Sequence, residues 1–358
     1  MCRSPLRLRL RLLLLLASGA AALPLALPAA GAPAPLAAEN PAGGGAASAF
    51  TGTATGQVFD PNPVVALQNE RLTDQHDQDD PALQPAYKAV TLTHLDGSGF
   101  LHGDFATLAP KQKNPAYSPS GQFVYPRSDD RFEQVMAYYH VTTAQLYIQR
   151  LGFSNLNNEP QDLLINPIGQ DNSYYDPKTD VIAFGKGGVD DAEDAEMIWH
   201  EYGHAIQDSQ VPGFGSGNQA GSIGEGFGDY WAFTMSQADS PDTATTPLAC
   251  IADWDATSYT STVPHCLRRV DADMTMADYD PHGDVHVNGQ IWSRALHDIN
   301  LALGRDQANT VILQAQFAFS PSTTFQAAAQ ATVDAAGARY GATAASQVRA
   351  AFAARGIL

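Results

Sequence analysis

The sequence has few basic residues and, beyond its N-terminus, no long apolar run. Lys and Arg number 20 against 38 Asp and Glu, which gives the 358 residues a formal charge of −18 at pH 7. A protein this acidic repels phosphate backbones and anionic membrane surfaces, so we predict neither nucleic acid nor membrane as a partner. The hydrophobic fraction of 44% instead indicates a globular protein with a sizeable core.

The first residues have the pattern of a targeting signal. Several arginines precede the leucine run Leu12–Leu16, and small residues follow near residues 20–22. This order is typical of a signal peptide, which we assign to residues 1–30, followed by an Ala-, Pro- and Gly-rich linker over residues 31–49. We therefore expect the mature protein to be secreted, in the periplasm or outside the cell.

Cysteine is scarce, with three in the whole chain. Cys2 lies in the predicted signal peptide, which leaves Cys250 and Cys266 in the mature protein. In an oxidising compartment these two are able to pair, and a disulfide closing a loop of that size contributes about 3 kcal/mol in the chain-entropy model. Two free thiols are the alternative.

Hydrophobic periodicity predicts a β-rich N-terminal part and a helical C-terminal part. Residues 89–95 alternate and are followed by a glycine-containing turn, so we predict a hairpin with residues 100–108. A helix is predicted over residues 128–152, and strands are predicted over residues 163–165 and 181–184.

His200, Glu201 and His204 form an H-E-x-x-H motif. Histidines four residues apart project from one face of a helix, where both are able to bind the same zinc ion. The glutamate between them is then well placed to take a proton from a water. The capping-box spacing at Asp190–Glu193 predicts the start of this helix, and Pro212 predicts its end.

The third zinc ligand is expected on a second helix, predicted over residues 222–237. Its segment Gly224–Asp229 contains Glu225, which we predict to be that ligand. Asp229, one turn later, faces the same way and is able to accept the outer N–H of a ligand histidine. The glycines of this segment each cost about 0.8–1.0 kcal/mol in a helix, so we expect them to allow close packing against a neighbour.

The spacing also separates this chain from other zinc classes. The extended H-E-x-x-H-x-x-G-x-x-H motif requires glycine and histidine at the positions of Gln207 and Gln210, so that class is excluded. Zinc aminopeptidases with a similar core usually carry a G-x-M-E-N element, which does not occur in this sequence.

With these motifs, the chain resembles the thermolysin-like gluzincin zinc metallopeptidases, and its local motifs are closer to the fungalysin branch. The resemblance is strongest at His200–His204 and Gly224–Asp229. It extends to Asn172–Asp176, which resembles a substrate-binding edge strand, to Val285–Gly289, and to the tail from Ala327 onwards.

The resemblance implies an α+β fold, that of a two-lobed zincin. We expect a β-rich lobe that includes the active-site helix over residues 50–210, and a mostly α-helical lobe over residues 211–358. The resemblance also implies a preference for bulky apolar residues beside the cleaved bond.

Each matching residue has a role in the family, which the resemblance transfers to this chain. The implied ligands of the one catalytic Zn²⁺ are His200, His204 and Glu225. Glu201 is the implied general base, Asp229 orients His200, and His286 donates a hydrogen bond to the oxyanion, a contact worth about 2.7–4 kcal/mol in other hydrolases. The residues implied to hold the substrate are Asn172, Ser173 and Arg268, with Arg269 as the alternative to Arg268.

Three departures from the family pattern affect these expectations. Between His204 and Glu225 there is no tyrosine to help bind the oxyanion, so His286 and Arg268 are expected to take over that role. Ser236 stands where a Ca²⁺-binding carboxylate is expected and only Glu196 fits, which argues against a calcium site without excluding it. The segment before residue 50 is short for a large folding propeptide, so a separate folding or inhibitory partner is an open alternative.

We therefore predict a secreted zinc-dependent endopeptidase that hydrolyses polypeptides with a zinc-activated water and a glutamate base. A non-catalytic, metallopeptidase-like binding protein is the first alternative, motivated by the missing tyrosine. Glu201 opposes it, because a scaffold that only binds zinc needs no base at that position. A zinc aminopeptidase is a further alternative.

Overall fold

The computed structural model describes residues 52–358. The predicted signal peptide and linker lie outside the described residues, as do the first two residues of the predicted β-rich lobe. No helix in the described part of the chain combines the length and the apolar character needed to cross a bilayer.

Strands dominate the first part of the chain and helices the second. The strands are β1 (Ala54–Val58), β2 (Lys88–Leu92), β3 (Ala106–Leu108), β4 (Gln122–Phe123), β5 (Gln161–Ile165), β6 (Tyr174–Asp176), β7 (Val181–Phe184), β8 (Cys250–Ile251) and β9 (Arg268–Arg269). The helices are α1 (Pro63–Leu67), α2 (Arg131–Arg150), α3 (Ala195–Gln210), α4 (Asn218–Ser236), α5 (Val285–Leu303), α6 (Arg305–Gln316), α7 (Phe325–Tyr340) and α8 (Ala342–Ala354).

The strands form two larger sheets and one short pair. One sheet has the order β2-β1-β4, the second has the order β3-β5-β7-β6, and β8 pairs with β9. In the second sheet β5 is parallel to both β3 and β7, and β6 lies antiparallel to β7 at the edge. The strands predicted over residues 163–165 and 181–184 are therefore confirmed, and β6 keeps one edge free of pairing within the sheet.

The predicted hairpin between residues 89–95 and 100–108 is wrong. The backbones of the two segments pair only at an isolated bridge between Leu95 and Gly103, because β2 pairs with β1 and β3 pairs with β5. Burial explains the difference, since the alternating side chains of β3 are buried against the core that α2 also covers. Strand pairing follows such non-local burial, which a local turn signal does not report.

The predicted helix over residues 128–152 is confirmed as α2, and its apolar side chains lie in the core.

Helix α3 ends as predicted but begins one turn later than the capping-box spacing indicated. Residues Asp191–Glu193 form a short 3₁₀ turn, and Asp194 is the N-cap, with its carboxylate accepting a 3.0 Å hydrogen bond from Glu196 N. Glu193 is unavailable as a capping residue because Arg127 binds its carboxylate.

Glycines allow the helices around the site to pack closely, as predicted. A Cβ atom at Gly203 of α3 would lie 3.1 Å from the Cα of Gly228 on α4. A Cβ atom at Gly226 would collide with the carbonyl of Gly289 on α5. Helices α3, α4 and α5 therefore approach each other through glycine faces, which places their functional side chains within a few ångströms.

The architecture is α+β, as predicted, with a sheet-containing N-terminal part, a central helix carrying H-E-x-x-H, and a helical C-terminal part. Gly304, with φ of +80°, lies between α5 and α6, and Gly341, with φ of +83°, lies between α7 and α8. The division into lobes at residue 211 stays a prediction.

Candidate metal centre and cleft

Two adjacent helices bring the three predicted zinc ligands together. His200 and His204 lie on the same face of α3, with ring centroids 5.1 Å apart. Glu225 of α4 faces them, with Oε2 at 3.3 Å from His200 Nε2 and Oε1 at 3.7 Å from His204 Nε2. One potential ligand atom from each residue lies within 4.8 Å of the other two.

The chemistry of these donors fits a zinc ion. Glu225 Oε2 is buried and has no hydrogen bond, which is costly for a carboxylate oxygen unless a cation completes its environment. Two imidazoles and one carboxylate form the His₂Glu ligand set of catalytic zinc sites, which leave a fourth position open. The predicted set is thus assembled by the fold, from two helices that are neighbours in sequence.

Asp229 lies behind the histidine pair. Its Oδ1 is 3.0 Å from His200 Nδ1, the nitrogen on the opposite side of the ring from Glu225. Burial opposes a charge on His200, but the carboxylates of Asp229 and Glu225 outweigh it and raise the pKa of His200 to about 10. The two atoms thus lie close enough for the predicted orienting contact, which stays a prediction.

Gly228 sets the distance between His200 and α4. A Cβ atom at this position would lie 2.8 Å from both Nδ1 and Cε1 of the His200 ring. Any larger residue would therefore push the ring away from Glu225 or from Asp229. Gly228 is one of the glycines that the sequence predicts to allow close packing, and the atoms nearest to its added Cβ belong to the predicted zinc ligand His200.

Glu201 faces the cleft beside the histidines. Its side chain is buried, and its Oε2 has no hydrogen-bond partner among the described residues. Burial raises the pKa of Glu201 to about 7, opposed by the nearby His200. A carboxylate with one unpaired oxygen and a pKa near neutrality is suited to proton transfer.

His286, at the N-terminal end of α5, lies on the other side of the metal centre. Its Nε2 is 3.2 Å from Glu225 Oε2, and its Nδ1 is 2.8 Å from Asp284 Oδ1. The side chain is 49% exposed, so the imidazole is accessible from the cleft. The structure thus brings His286 to the three predicted ligands from a segment 60 residues further along the chain than Glu225.

Arg268, on β9, is held by Asp229. Its Nε and Nη2 each donate a 2.7 Å hydrogen bond to that carboxylate. Arg269, the alternative in the sequence, pairs instead with Asp271 and does not line the cavities beside Glu201. Of the two arginines, Arg268 is therefore the one that the fold places at the site.

Asn172 and Ser173 precede the edge strand β6 and line two cavities that share His200, Glu201 and His286. The first cavity has a volume of about 430 Å³ and extends past Tyr175 and Phe214. The second, of about 510 Å³, extends past Arg268. Together the cavities form a cleft along β6 on both sides of Glu201.

The cleft contains residues that the sequence did not indicate. Gln207, one turn after His204, is buried at the cleft with neither amide atom hydrogen-bonded. Its position one helical turn after His204 would have predicted that it lies on the same face of α3. Asp255 also reaches the cleft, but it lies 54 residues beyond Glu201 and has no local pattern.

The surroundings of Glu196 give no support to a calcium site. Its Oε1 accepts a 2.5 Å hydrogen bond from Ser236 Oγ, and its Oε2 accepts a 2.7 Å hydrogen bond from Ala252 N. Both carboxylate oxygens are thus occupied by donors of the chain itself. Calcium remains an untested prediction.

Cys250 and Cys266 form a disulfide, with Cα atoms 5.2 Å apart. The predicted pairing is confirmed, and the alternative of two free thiols is wrong. The bond closes the loop between β8 and β9, and β9 carries Arg268.

The candidate metal centre has the ligand set of a catalytic zinc site, and comparison with known proteins indicates the class of enzyme. Residues 213–357 match the family model of the thermolysin metallopeptidase, alpha-helical domain. This match confirms the resemblance predicted from the sequence: the chain carries the helical domain of a thermolysin-like zinc metallopeptidase, and its enzyme class is zinc metalloendopeptidase. The closer likeness to the fungalysin branch stays a prediction.

Among solved structures, the chain is similar to the precursor of protealysin, a metalloproteinase from Serratia proteamaculans. The identity is 20%, the match covers 62% of this chain and 78% of that chain, and the TM-score is 0.49. No curated protein matches the sequence.

Proposed function

We propose that the protein is exported and cleaves internal bonds of extended polypeptides, with Glu201 as general base. The observation that carries this proposal is the unpaired, buried Oε2 of Glu201 next to the converging side chains of His200, His204 and Glu225. A protein that only bound a metal would have no use for a buried carboxylate with a free oxygen at this point.

The residues divide the chemistry between them. When bound by His200, His204 and Glu225, zinc supplies Lewis acidity, polarising a carbonyl and lowering the pKa of a water to about 7. Glu201 takes a proton from the attacking water on its unpaired Oε2 and delivers it to the leaving amine. Asp229 holds the ring of His200 in place during both transfers.

His286 and Arg268 are proposed to bind the oxyanion and a substrate carbonyl. The carboxylate of Asp284 accepts the N–H of His286 Nδ1 and so holds the ring with Nε2 facing the cleft; the doubly protonated ring is the form that donates from Nε2. Arg268 commits Nε and Nη2 to Asp229, and its Nη1 forms no hydrogen bond within residues 52–358. Arg268 therefore offers the N–H groups of Nη1 to the substrate, and His286 offers Nε2.

The backbone of the substrate is proposed to bind as an added strand at the free edge of β6, beside Asn172 and Ser173. Main-chain hydrogen bonds of this kind select an extended chain and not a particular sequence. A cleft open on both sides of Glu201 supports internal cleavage, because both halves of the substrate have room.

Export is supported by two independent features. The N-terminal 30 residues have the pattern of a signal peptide, and a disulfide such as Cys250–Cys266 persists in oxidising compartments outside the cytosol.

The test of the proposal compares the purified protein with a Glu201→Gln variant and with a Glu159→Gln control, which removes an exposed carboxylate that does not line the cleft. Each is incubated with an unstructured polypeptide, with and without a chelator. We expect internal cleavage by the wild type and the control, lost with chelator and in Glu201→Gln. Stoichiometric zinc without cleavage in any sample would favour the non-catalytic binding protein, and release of single N-terminal residues would favour an aminopeptidase.

A further inference from the structure

The second cavity beside Glu201 has an acidic wall. Besides Glu201 and Asp284, three clustered carboxylates, Asp171, Asp191 and Asp255, line it, and we call it the acidic cavity. The residues Asp191 and Asp255 are 1% and 2% exposed, whereas Asp171 is at the surface. One oxygen of each carboxyl group lies within 4.8 Å of the other two, so the three groups face a common point.

The two buried carboxylates are only half satisfied. Asp191 Oδ2 accepts a hydrogen bond from Ser173 Oγ, and Asp255 Oδ2 accepts one of 2.7 Å from the Tyr259 hydroxyl. The Oδ1 atom of each is buried and has no partner within the described chain. A buried carboxylate oxygen without a donor is destabilising, so the arrangement calls for a ligand that brings positive charge or donors.

Within residues 52–358, no basic side chain forms an ion pair with these three carboxyl groups. Arg268 also lines the acidic cavity, but two 2.7 Å hydrogen bonds bind it to Asp229. Burial raises the pKa of Asp171 to about 6 and that of Asp191 to about 9, and the neighbouring Asp255 adds to the second shift. Burial and mutual repulsion thus disfavour the charged forms of these carboxyl groups, and a cation bound among them would favour those forms.

We propose that the acidic cavity binds the lysine or arginine side chain of the substrate residue that follows the cleaved bond. This proposal rests on the proposed endopeptidase function and names its specificity. A peptide side chain fits better than a metal ion because the volume, about 510 Å³, accommodates a long side chain, and because Glu201 and His200 belong to the same wall. The three carboxylates would thus replace the preference for bulky apolar residues that the family resemblance implies.

The direction of the substrate follows from β6. Asp171 precedes this strand at the acidic cavity, whereas Tyr175 and Pro177, at its other end, line the first cavity. A peptide added antiparallel to β6 has its N-terminal half along Tyr175 and its C-terminal half at Asp171. The side chain that enters the acidic cavity then belongs to the C-terminal side of the bond.

The test uses the zinc-loaded full chain and peptides that differ only in the residue after the cleaved bond, which is Lys, Arg, Leu or Glu. We expect kcat/KM to be about tenfold or more higher for Lys and Arg than for Leu. The ratio of Lys to Leu should fall by about tenfold in Asp191→Asn and in Asp171→Asn. It should stay unchanged in Asp334→Asn, which removes an exposed carboxylate on α7. Because Asp171 is at the surface, its variant tests the proposal even where Asp191→Asn fails to fold, as judged by circular dichroism.

Several outcomes would overturn the proposal. Equal kcat/KM values for the Lys and Leu peptides would be compatible with the endopeptidase function but would reject the proposed specificity for cationic side chains. A ratio of Lys to Leu that the aspartate variants do not change would reject that specificity as well. Calcium bound by the wild type and lost in Asp191→Asn, measured by calorimetry, would make the cavity a metal site. If no peptide is cleaved, the proposed function fails. The role of the acidic cavity is then tested by measuring the affinity of the Glu201→Gln variant for the peptides. Tighter binding of the Lys peptide than of the Leu peptide supports that role, and equal affinities reject it.

Discussion

Arg268 donates two 2.7 Å hydrogen bonds to the carboxylate of Asp229, whose side chain is 1% exposed. The same carboxylate lies 3.0 Å from His200 Nδ1. One buried anion therefore positions both a predicted zinc ligand and the arginine proposed to bind a substrate carbonyl. Burial opposes the charge on Asp229, but Arg268 and His200 lower its pKa to about 2, so it is ionised at neutral pH.

The first prediction concerns this pair. Arg268→Ala leaves the negative charge of Asp229 buried beside a single imidazole, so we expect the free energy of unfolding to fall by about 3–5 kcal/mol. Arg268→Lys keeps the charge but not the planar two-bond geometry, so it should lose less. Denaturant titration measures both. The control Arg349→Ala, at an exposed arginine bound only to Gln330, should stay within about 0.5 kcal/mol of the wild type. Equal losses in Arg268→Ala and the control would contradict the buried-pair account.

The second prediction concerns the protons released on zinc binding. In the metal-free protein Asp229 and Glu225 outweigh burial and raise the pKa of His200 to about 10, so at pH 8 its ring carries a proton that the metal must displace. Burial lowers the pKa of His204 to about 4, so that ring is already neutral. Zinc affinity should therefore rise with pH up to about 10.

Calorimetry in buffers of different ionisation enthalpy measures this release. In Asp229→Asn the ring of His200 loses its strongest anionic partner, its pKa falls, and the proton is already gone at pH 8. The wild type should then release about one more proton per zinc ion than this variant, whereas Asp334→Asn should match the wild type. An identical release in Asp229→Asn would show that Asp229 does not hold the charge of His200.

The metal centre was predictable because its signals are local. Residues on one helix face have a fixed spacing in sequence, so the motif of His200, Glu201 and His204 is recognisable without the structure. Glu225 and Asp229 have the same kind of spacing on the next helix. The structure keeps each of these positions. By contrast, the start of α3 was misplaced because Arg127, far away in sequence, engages the glutamate of the apparent capping box.

The acidic cavity was not predictable for the opposite reason. Asp171 follows a strand, Asp191 lies in a 3₁₀ turn and Asp255 lies in another short 3₁₀ helix after β8. Each is an ordinary turn residue in sequence, and only tertiary packing brings them together. The failed hairpin has the same origin, because β2 and β3 pair with strands of two different sheets.

The third prediction concerns Gly228. In Gly228→Ala the new methyl group would lie 2.8 Å from the His200 ring, which must move away from Glu225 or Asp229. We expect zinc affinity to fall by about 10- to 100-fold, the range seen when the support of a metal ligand is lost. Competition with a chromogenic chelator measures the affinity. Gly337→Ala in α7 is the matched control, since its Cβ would lie at an ordinary 3.5 Å from Ala345 Cβ and should add up to about 1 kcal/mol of helix stability. Equal zinc affinity in the two variants would mean that α4 has room to shift.

The fourth prediction concerns the disulfide between Cys250 and Cys266. The bond closes a loop with a sequence separation of 16 and ties β8 to the segment that leads into Arg268. Replacing both cysteines by alanine should lower the free energy of unfolding by about 3 kcal/mol, because the unfolded chain regains the freedom of that loop. Denaturant titration with and without reductant separates this effect from the loss of the sulfur atoms. Reductant should destabilise the wild type by a similar amount and leave the double variant unchanged. If reductant does not change the stability of the wild type but the double variant is destabilised, the lost stability comes from packing around the buried Cys250 and not from the covalent bond.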